Sequence, residues 1–514
     1  MMFWKILLLV IAGLILILGI IKAWLDARSQ KPGRNARRDI FIALVLACLV
    51  GIYPLIQLLQ PNEIKENLKP IVESQKRIEQ KLDSLGRQPG EPVPYKDGIP
   101  QSKNFNLRAL FEEGQKHLEN YEYDKAIKAF RAALALQELK PSESAALLIH
   151  IGIVQHKQSK WDEAEGTWKE ALDWAEKGND ESGQAAALGN LGLVYQAKGE
   201  WDKAIEFYNK DLEISKKIGD EHGMAATFNN LGLVYQDKGE WDKAIEFYNK
   251  DLEISKMIGD EHGMAQTFGN LGNVYQLKGE WDKAIEFYNK ALKGFEKIGD
   301  EYGMAQIFNN LGAVYQSKGE WDKAIEFYNK DLEIGKKIGD EYGMAQTFNN
   351  LGNVYQLKGE WDKAIEFYNK SLKIKEKIGD EHGMAQTFNN LGLVYQDKGE
   401  WDKAIEFYNK SLKIKEKVGD EHGMAQTFNN LGLVYKDKGE WDKAIEFYNK
   451  DLEISKKIGD EHGMAQTKGN IAVLYKMQGK KAEAKKIFEE ILLIFEKIGD
   501  RPNAERTREH LKDL

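Results

Sequence analysis

The chain has one cysteine, Cys48, in 514 residues. A disulfide within the chain is therefore excluded, and the redox compartment cannot be read from cysteine usage. A basic excess is missing too. The first 59 residues hold seven basic and two acidic side chains, which leaves 66 basic against 79 acidic, a net charge of −13, for the rest. Such a surface repels phosphates and lacks the basic stripe of a nucleic-acid binder. No phosphate loop and no nucleophile elbow occurs. His222, His262, His382, His422 and His462 recur at one register, but Tyr302 and Tyr342 take their place in two copies. Packing at a turn tolerates that exchange and a metal site does not. His150 and His156 do not have the i, i+4 spacing of ligands on one helix face. Acidic residues are interspersed with lysine, as on a solvated face. No enzyme, cofactor or metal is expected.

What is present begins with two apolar runs. Ile6 to Ile21 is uncharged, and with Phe3, Trp4 and Ala23 to Leu25 it is long enough to span a bilayer. Trp4 and Trp24 lie near its ends, where indoles favour the interface. The run is longer than a signal-peptide core, and KAWLDAR after it is a poor cleavage site, so an uncleaved span is expected. Ile40 to Leu59 is a second candidate span, with Pro54 a kink. Ala43, Ala47 and Gly51 recur every fourth residue, which either lets a neighbouring helix approach or is chance spacing in an apolar run. The two runs predict a transmembrane hairpin, over about 3–25 and 40–59, within an anchor of residues 1–60. Its loop holds Arg28, Lys31, Arg34, Arg37 and Arg38. Short basic loops stay in the cytoplasm, which predicts an extracytoplasmic location for everything downstream. Lys65, Lys69, Lys76 and Arg77 favour the cytoplasmic alternative.

Ile64, Leu68, Ile71, Gln75, Ile78, Leu82 and Leu85 follow a 4-3-4-3 spacing over residues 61–85. Pro70 shortens the usable helix, so a lone amphipathic stalk is expected ahead of a coiled coil, with a homo-oligomer as the other outcome. Residues 86–104 carry Pro89, Pro92, Pro94 and Pro100 and read as a stiff linker.

The rest is repetitive. GEWDKAIEFYNK starts at Gly199 and recurs at Gly239, Gly279, Gly319, Gly359, Gly399 and Gly439, always 40 residues apart. In one unit Ala225, Phe228, Leu231, Gly232 and Tyr235 share one helix face. Gly239 ends that helix. Trp241, Ala244, Ile245, Tyr248 and Leu252 mark a second helix, which Gly259 ends, and Asp260 suits the next N-cap. Each unit is a helical hairpin. A lone hairpin cannot bury both its faces, so the units must stack into a solenoid with a shared core. Trp161, Trp201, Trp241, Trp281, Trp321, Trp361, Trp401 and Trp441 are expected to pack in that core.

Phe228, Leu231, Gly232, Tyr235, Gly239, Ala244 and Tyr248 resemble the tetratricopeptide repeat signature, with phenylalanine where tryptophan is common. The 40-residue form, with NNLG and a GD turn, is similar to repeats of kinesin light chains and Pins-type polarity scaffolds. The resemblance implies an all-α, right-handed superhelical solenoid over residues 105–500, with ten repeats and a capping helix at 501–514. The outer copies depart most: Glu113 stands at a leucine position and Ala472 at a glycine position. Those families hold peptide segments of partner proteins along their first helices. The resemblance therefore implies protein partners and a scaffold function. The chain lacks the G-protein-binding motifs and motor-binding heptads of those groups, so their particular partners are not implied. A structural or assembly role in a membrane or envelope complex, by self-association, is the alternative.

The first helix carries a second stripe. Asn190, Asn230, Asn270, Asn310, Asn350, Asn390, Asn430 and Asn470 form one column. Asn229, Asn309, Asn349, Asn389 and Asn429 stand beside it, and Gln276, Gln316 and Gln356 lie further along. Asparagine costs roughly half a kcal/mol against alanine in a helix, so its repetition predicts a use for the amide. In the resembling families, asparagine at the Asn270 position bonds a bound peptide's main chain. An amide both donates and accepts, so it suits any peptide group. Leu233, Asn273, Ala313, Asn353, Leu393 and Leu433 would then set specificity. The competing use is to tie one repeat to the next.

Overall fold

The computed structural model describes residues 102–514 together with Pro92, Tyr95 and Ile99. The predicted membrane hairpin and the stalk lie outside the described residues. Within those residues, no helix is long and apolar enough to cross a membrane. The described residues form ten helical hairpins, from Phe105–Glu119 with Tyr123–Leu134 to Glu461–Met477 with Lys481–Ile498, closed by the single helix Arg501–Lys512.

One unit shows why this sequence folds so. Helix Glu221–Asp237 begins where the Asp220 carboxylate accepts the Gly223 N–H at 2.9 Å. It ends at Gly239, whose φ of 72° is left-handed and strains any residue with a Cβ. Helix Trp241–Ile258 runs back and ends at Gly259 in the same way. Leu231, Val234, Ala244 and Tyr248 are fully buried, the first two clustered with Ala204 and Tyr208 of the repeat before and the last two with Leu271 and Val274 of the repeat after. The helices cross closely because Gly232 lies against the Tyr248 ring, where an added Cβ would come within 2.5 Å of Cε1. The same pairing recurs through Gly432 and Tyr448, with Gly152 against Trp168 as a larger version.

The tryptophan column is a correction to the sequence expectation. Trp241 and Trp321 each keep 37% of their surface exposed. They stand at the first position of the second helix, at the edge of the core, whereas Trp161 and Trp441 at the same register do pack against buried apolar clusters. The central aromatic is the tyrosine seven residues on.

Each second helix packs on the first helix of the next repeat. Successive first helices also approach one another directly, whereas successive second helices show no comparable contact. The first helices therefore line the inner side of the curve. The outer edge carries regular ion pairs between neighbours, such as Lys238 with Asp202 and Lys278 with Asp242, both at 2.6 Å.

Candidate peptide-binding face

The inner side is uncharged. Between its leading glutamate and its last two positions, each first helix from Glu181–Ala197 to Glu421–Asp437 carries no Asp, Glu, Lys or Arg. Lysine and glutamate concentrate on the second helices, where pairs such as Lys250 with Glu246 are solvent-facing.

The asparagine columns meet across the repeat boundaries. Nδ2 of Asn270 donates to Asn229 Oδ1 at 3.0 Å, and Asn430 donates to Asn389 at 3.1 Å. Asn350 reaches Asn309 at 3.4 Å and Asn390 reaches Asn349 at 3.3 Å, contacts longer than an ordinary N–H···O bond. Asn310 bonds Asn273 instead, at 3.3 Å. Asn190, Asn230 and Asn270 are buried, while Asn310, Asn350, Asn390, Asn430 and Asn470 are half-buried. In the companion column, Asn309 donates to Asp331 at 2.9 Å and Asn429 to Asp451 at 3.2 Å. The glutamines turn toward the hairpin core. Gln276, Gln316 and Gln356 accept the hydroxyls of Tyr288, Tyr328 and Tyr368 at 2.9, 3.1 and 3.2 Å. These three buried tyrosines thus have partners, as buried hydroxyls require, whereas the Tyr448 hydroxyl, with Lys436 in the glutamine register, has none. The amides tie repeat to repeat, Asn309 and Asn429 with two bonds each, to Asp331 and Thr347 and to Asp451 and Thr467.

The turn histidines pack where a partner exists. His262 is buried, edge-on to Phe295, with Nε2 3.4 Å from the carboxylate of Asp300 in the next repeat. His462 reaches Asp500 at 2.9 Å. Further in, His156 lies between Trp161 and Trp168, and burial lowers its pKa to about 4, so it stays neutral.

A second polar set lay unread in the sequence. Behind the inner face, each joint between repeats buries a small cluster. Asp211, Asp251, Asp331 and Asp451 are buried on second helices, each against a threonine of the next repeat. Burial raises Asp211 and Asp251 to about 7 and lifts Asp331 in the same direction. In two joints the buried charge is a lysine instead, Lys375 or Lys415, and burial lowers its pKa. The signal was an exchange of paired residues four apart: Asp251 with Ser255 in one unit, Ser371 with Lys375 in another.

Stacked helical hairpins with an open, uncharged inner side define a helical-repeat scaffold of the kind that binds other proteins. The chain belongs to the tetratricopeptide repeat family, whose pattern matches residues 142–217, 223–297, 303–377, 343–417, 383–457 and 423–497. No curated protein sequence matches it. Among solved structures, it is similar to a signal transduction ATPase with numerous domains from Pyrococcus horikoshii, which has a tetratricopeptide repeat sensor. The identity is 16%, over 82% of this chain and 63% of that one, with a TM-score of 0.51. BtubC from P. vanneervenii is 24% identical over 43% of this chain and 90% of its own, with a TM-score of 0.38. The kinesin light chain-type, nearly identical repeats of Podosopora anserina are 20% identical over 38% of this chain and 96% of their own, with a TM-score of 0.34. At these identities the likeness shows the fold alone.

Proposed function

We propose that the array is a membrane-anchored scaffold whose inner face holds extended peptide segments of partner proteins, without catalysis. One observation carries the reading: a continuous, uncharged, amide-lined side on a protein whose other surfaces are densely charged. A bare main chain is neutral and needs donors and acceptors, which amides supply without selecting a side chain. Half-buried Asn310, Asn350 and Asn390 are held in line by their neighbours through long contacts of 3.3–3.4 Å. Weak ties of that length leave their amides ready to bond a ligand.

Replacing Asn310, Asn350 and Asn390 with alanine tests this. Each hydrogen bond is worth about 0.5–1.5 kcal/mol net. Affinity for 15-residue peptides selected on the full chain should fall about tenfold or more. Thermal stability should hold or rise, since alanine is the better helix former. Unchanged affinity in a destabilised protein would assign the amides to stacking alone.

The anchor rests on the apolar runs Ile6 to Ile21 and Ile40 to Leu59 and on the basic loop between them. Protease added to intact cells should digest the repeats, because basic loops stay cytoplasmic. Full protection, with permeabilised cells digested, would place the repeats in the cytoplasm.

A further inference from the structure

The segment read as a free linker is not free at its end. Pro92, Tyr95, Ile99 and Ser102 are buried, Ile99 completely. Tyr95 and Ile99 join the apolar cluster of the first three repeats, with Phe111, Ile149, Trp168 and Leu191. The Tyr95 hydroxyl donates to the Asp180 carboxylate, 2.7–2.8 Å away and 85 residues along the chain. Asp180 also accepts the Gly183 N–H at 3.0 Å as an N-cap.

The position of that bond is written into the repeat register. Asp300 and Asp500 receive an imidazole from the preceding repeat, His262 or His462. The residue in that register before Asp180 is Ser142, which is too short to serve. Tyr95 supplies the missing donor. The face is different as well. Where later first helices show amides, the second repeat has Ile149, His150 and Ile153, and every residue from Glu143 to Gln155 is buried. In the later helix Glu341–Leu357 the same register is half-open.

We infer that the proline-rich stretch carrying Tyr95 and Ile99 is an in-chain ligand of the first three repeats, docked through Tyr95 on Asp180 and through Ile99. This deepens the reading of the first helices as a peptide-receiving side. It gives that side a second section, selective for a tyrosine followed four residues later by an aliphatic side chain. A sequence with prolines at 92, 94 and 100 has few helical states to lose, which lowers the entropy cost of docking.

The test uses the full chain with Tyr95→Ala and Ile99→Ser, and a fluorescent peptide of residues 91–103. The peptide should bind this variant saturably. It should bind the unaltered chain at least about tenfold more weakly, because the tethered copy competes at high effective concentration. A peptide carrying Tyr95→Phe should lose roughly tenfold in affinity, as for one hydrogen bond to a charged acceptor. Adding Asn310, Asn350 and Asn390→Ala should leave peptide binding unchanged, so failure of this docking and failure of the amide face are read separately. No saturable binding to a folded double variant, or equal binding of the Tyr95→Phe peptide, overturns the proposal. If the double variant does not fold, Tyr95→Phe alone decides. Trypsin should then cut faster after Lys96, and an unchanged rate counts against docking.

Discussion

The joint behind Tyr248 and the joint behind Tyr368 are built on the same hairpin and bury opposite charges. In the first, Asp251 meets Ser255 at 2.9 Å and the hydroxyl of Thr267. Thr267 also lies 2.9 Å from the Gly263 carbonyl, and its single proton cannot serve both oxygens. A protonated Asp251 resolves the conflict by donating to the threonine oxygen. In the second joint, Lys375 donates to Thr387 at 2.9 Å and to the Gly383 carbonyl at 3.1 Å. Both joints therefore set a proton donor on the same threonine oxygen, one from a carboxylic acid and one from an amine. A third joint does without. Ala291 and Phe295 stand where Asp251 and Ser255 do, and Ile307 replaces the threonine, so donor and acceptor leave together. What each joint needs is a complete set of partners, and the sign of the charge is secondary.

The largest effect should be common to both joints. Tyr248 and Tyr368 are fully buried against Gly232 and Gly352. Replacing either with alanine removes a core aromatic, at about 3–5 kcal/mol. Hydrogen exchange over the affected hairpin should show equal losses. A clear inequality would mean that the charge behind the ring, not the ring, sets local stability.

The next effect separates them by pH. Asp251 has a folded pKa of about 7 against an ordinary 3.8, because burial penalises its charged form. The folded state binds the extra proton, so this stabilisation is full below about 3.8 and is lost as pH rises through about 7. The swing is on the order of a few kcal/mol. Asp251→Asn, whose amide copies the protonated acid, should match the parent near pH 3 and exceed it at pH 8. Lys375 has the opposite sign. Burial lowers its folded pKa, so the unfolded state binds more protons. Its contribution is full above the unfolded value and is lost as pH falls through the folded one. Exchange protection, corrected for the intrinsic rate, should fall with pH across residues 251–267 between pH 4 and 7. Across 371–387 it should rise with pH on the alkaline side. Parallel slopes would remove the comparison.

A smaller effect tests completeness. Thr267→Ile alone leaves the Asp251 carboxyl with Ser255 but one oxygen unpaired, and should cost about 1–3 kcal/mol. Adding Asp251→Ala and Ser255→Phe copies the apolar joint at Phe295 and should recover most of that loss. Costs that simply add would mean the three residues act independently.

The hairpins, the glycines that end their helices, and the capping aspartates were legible in the sequence, because helix periodicity and glycine placement are local rules. The tryptophans misled because their spacing puts Trp321 on an apolar face without saying how near the rim that face ends. Asp251 and Lys375 were missed because they stand among the glutamates and lysines of the second helix, and charge there reads as solvated. Only the neighbouring repeat buries them, and a contact between repeats has no signature in the spacing of one. The asparagines were found as a column, but the direction of each amide depends on the next repeat as well.

The smallest effect belongs to the outer edge, which acid and base joints share unchanged. Lys318 bridges to Asp282 at 2.7 Å beside the apolar joint, and Lys358 to Asp322 at 2.7 Å beside an acid joint. Lys398 bridges to Asp362 at 2.6 Å beside a base joint. The aspartates are almost wholly exposed, Asp282 at 93%. Exposed pairs are held in water of high dielectric and screened by salt, so each contributes little. Asp322→Ala and Asp362→Ala should each lower protection slightly at low ionic strength, by the same amount, and not at all at high salt. Regular spacing makes these rungs conspicuous, but a large or salt-resistant loss is expected only if the pairs act as one connected network. Removing a single rung would then disturb protection several repeats away. Confinement of the loss to the two adjoining repeats would leave the buried joints as the features that distinguish one boundary from another.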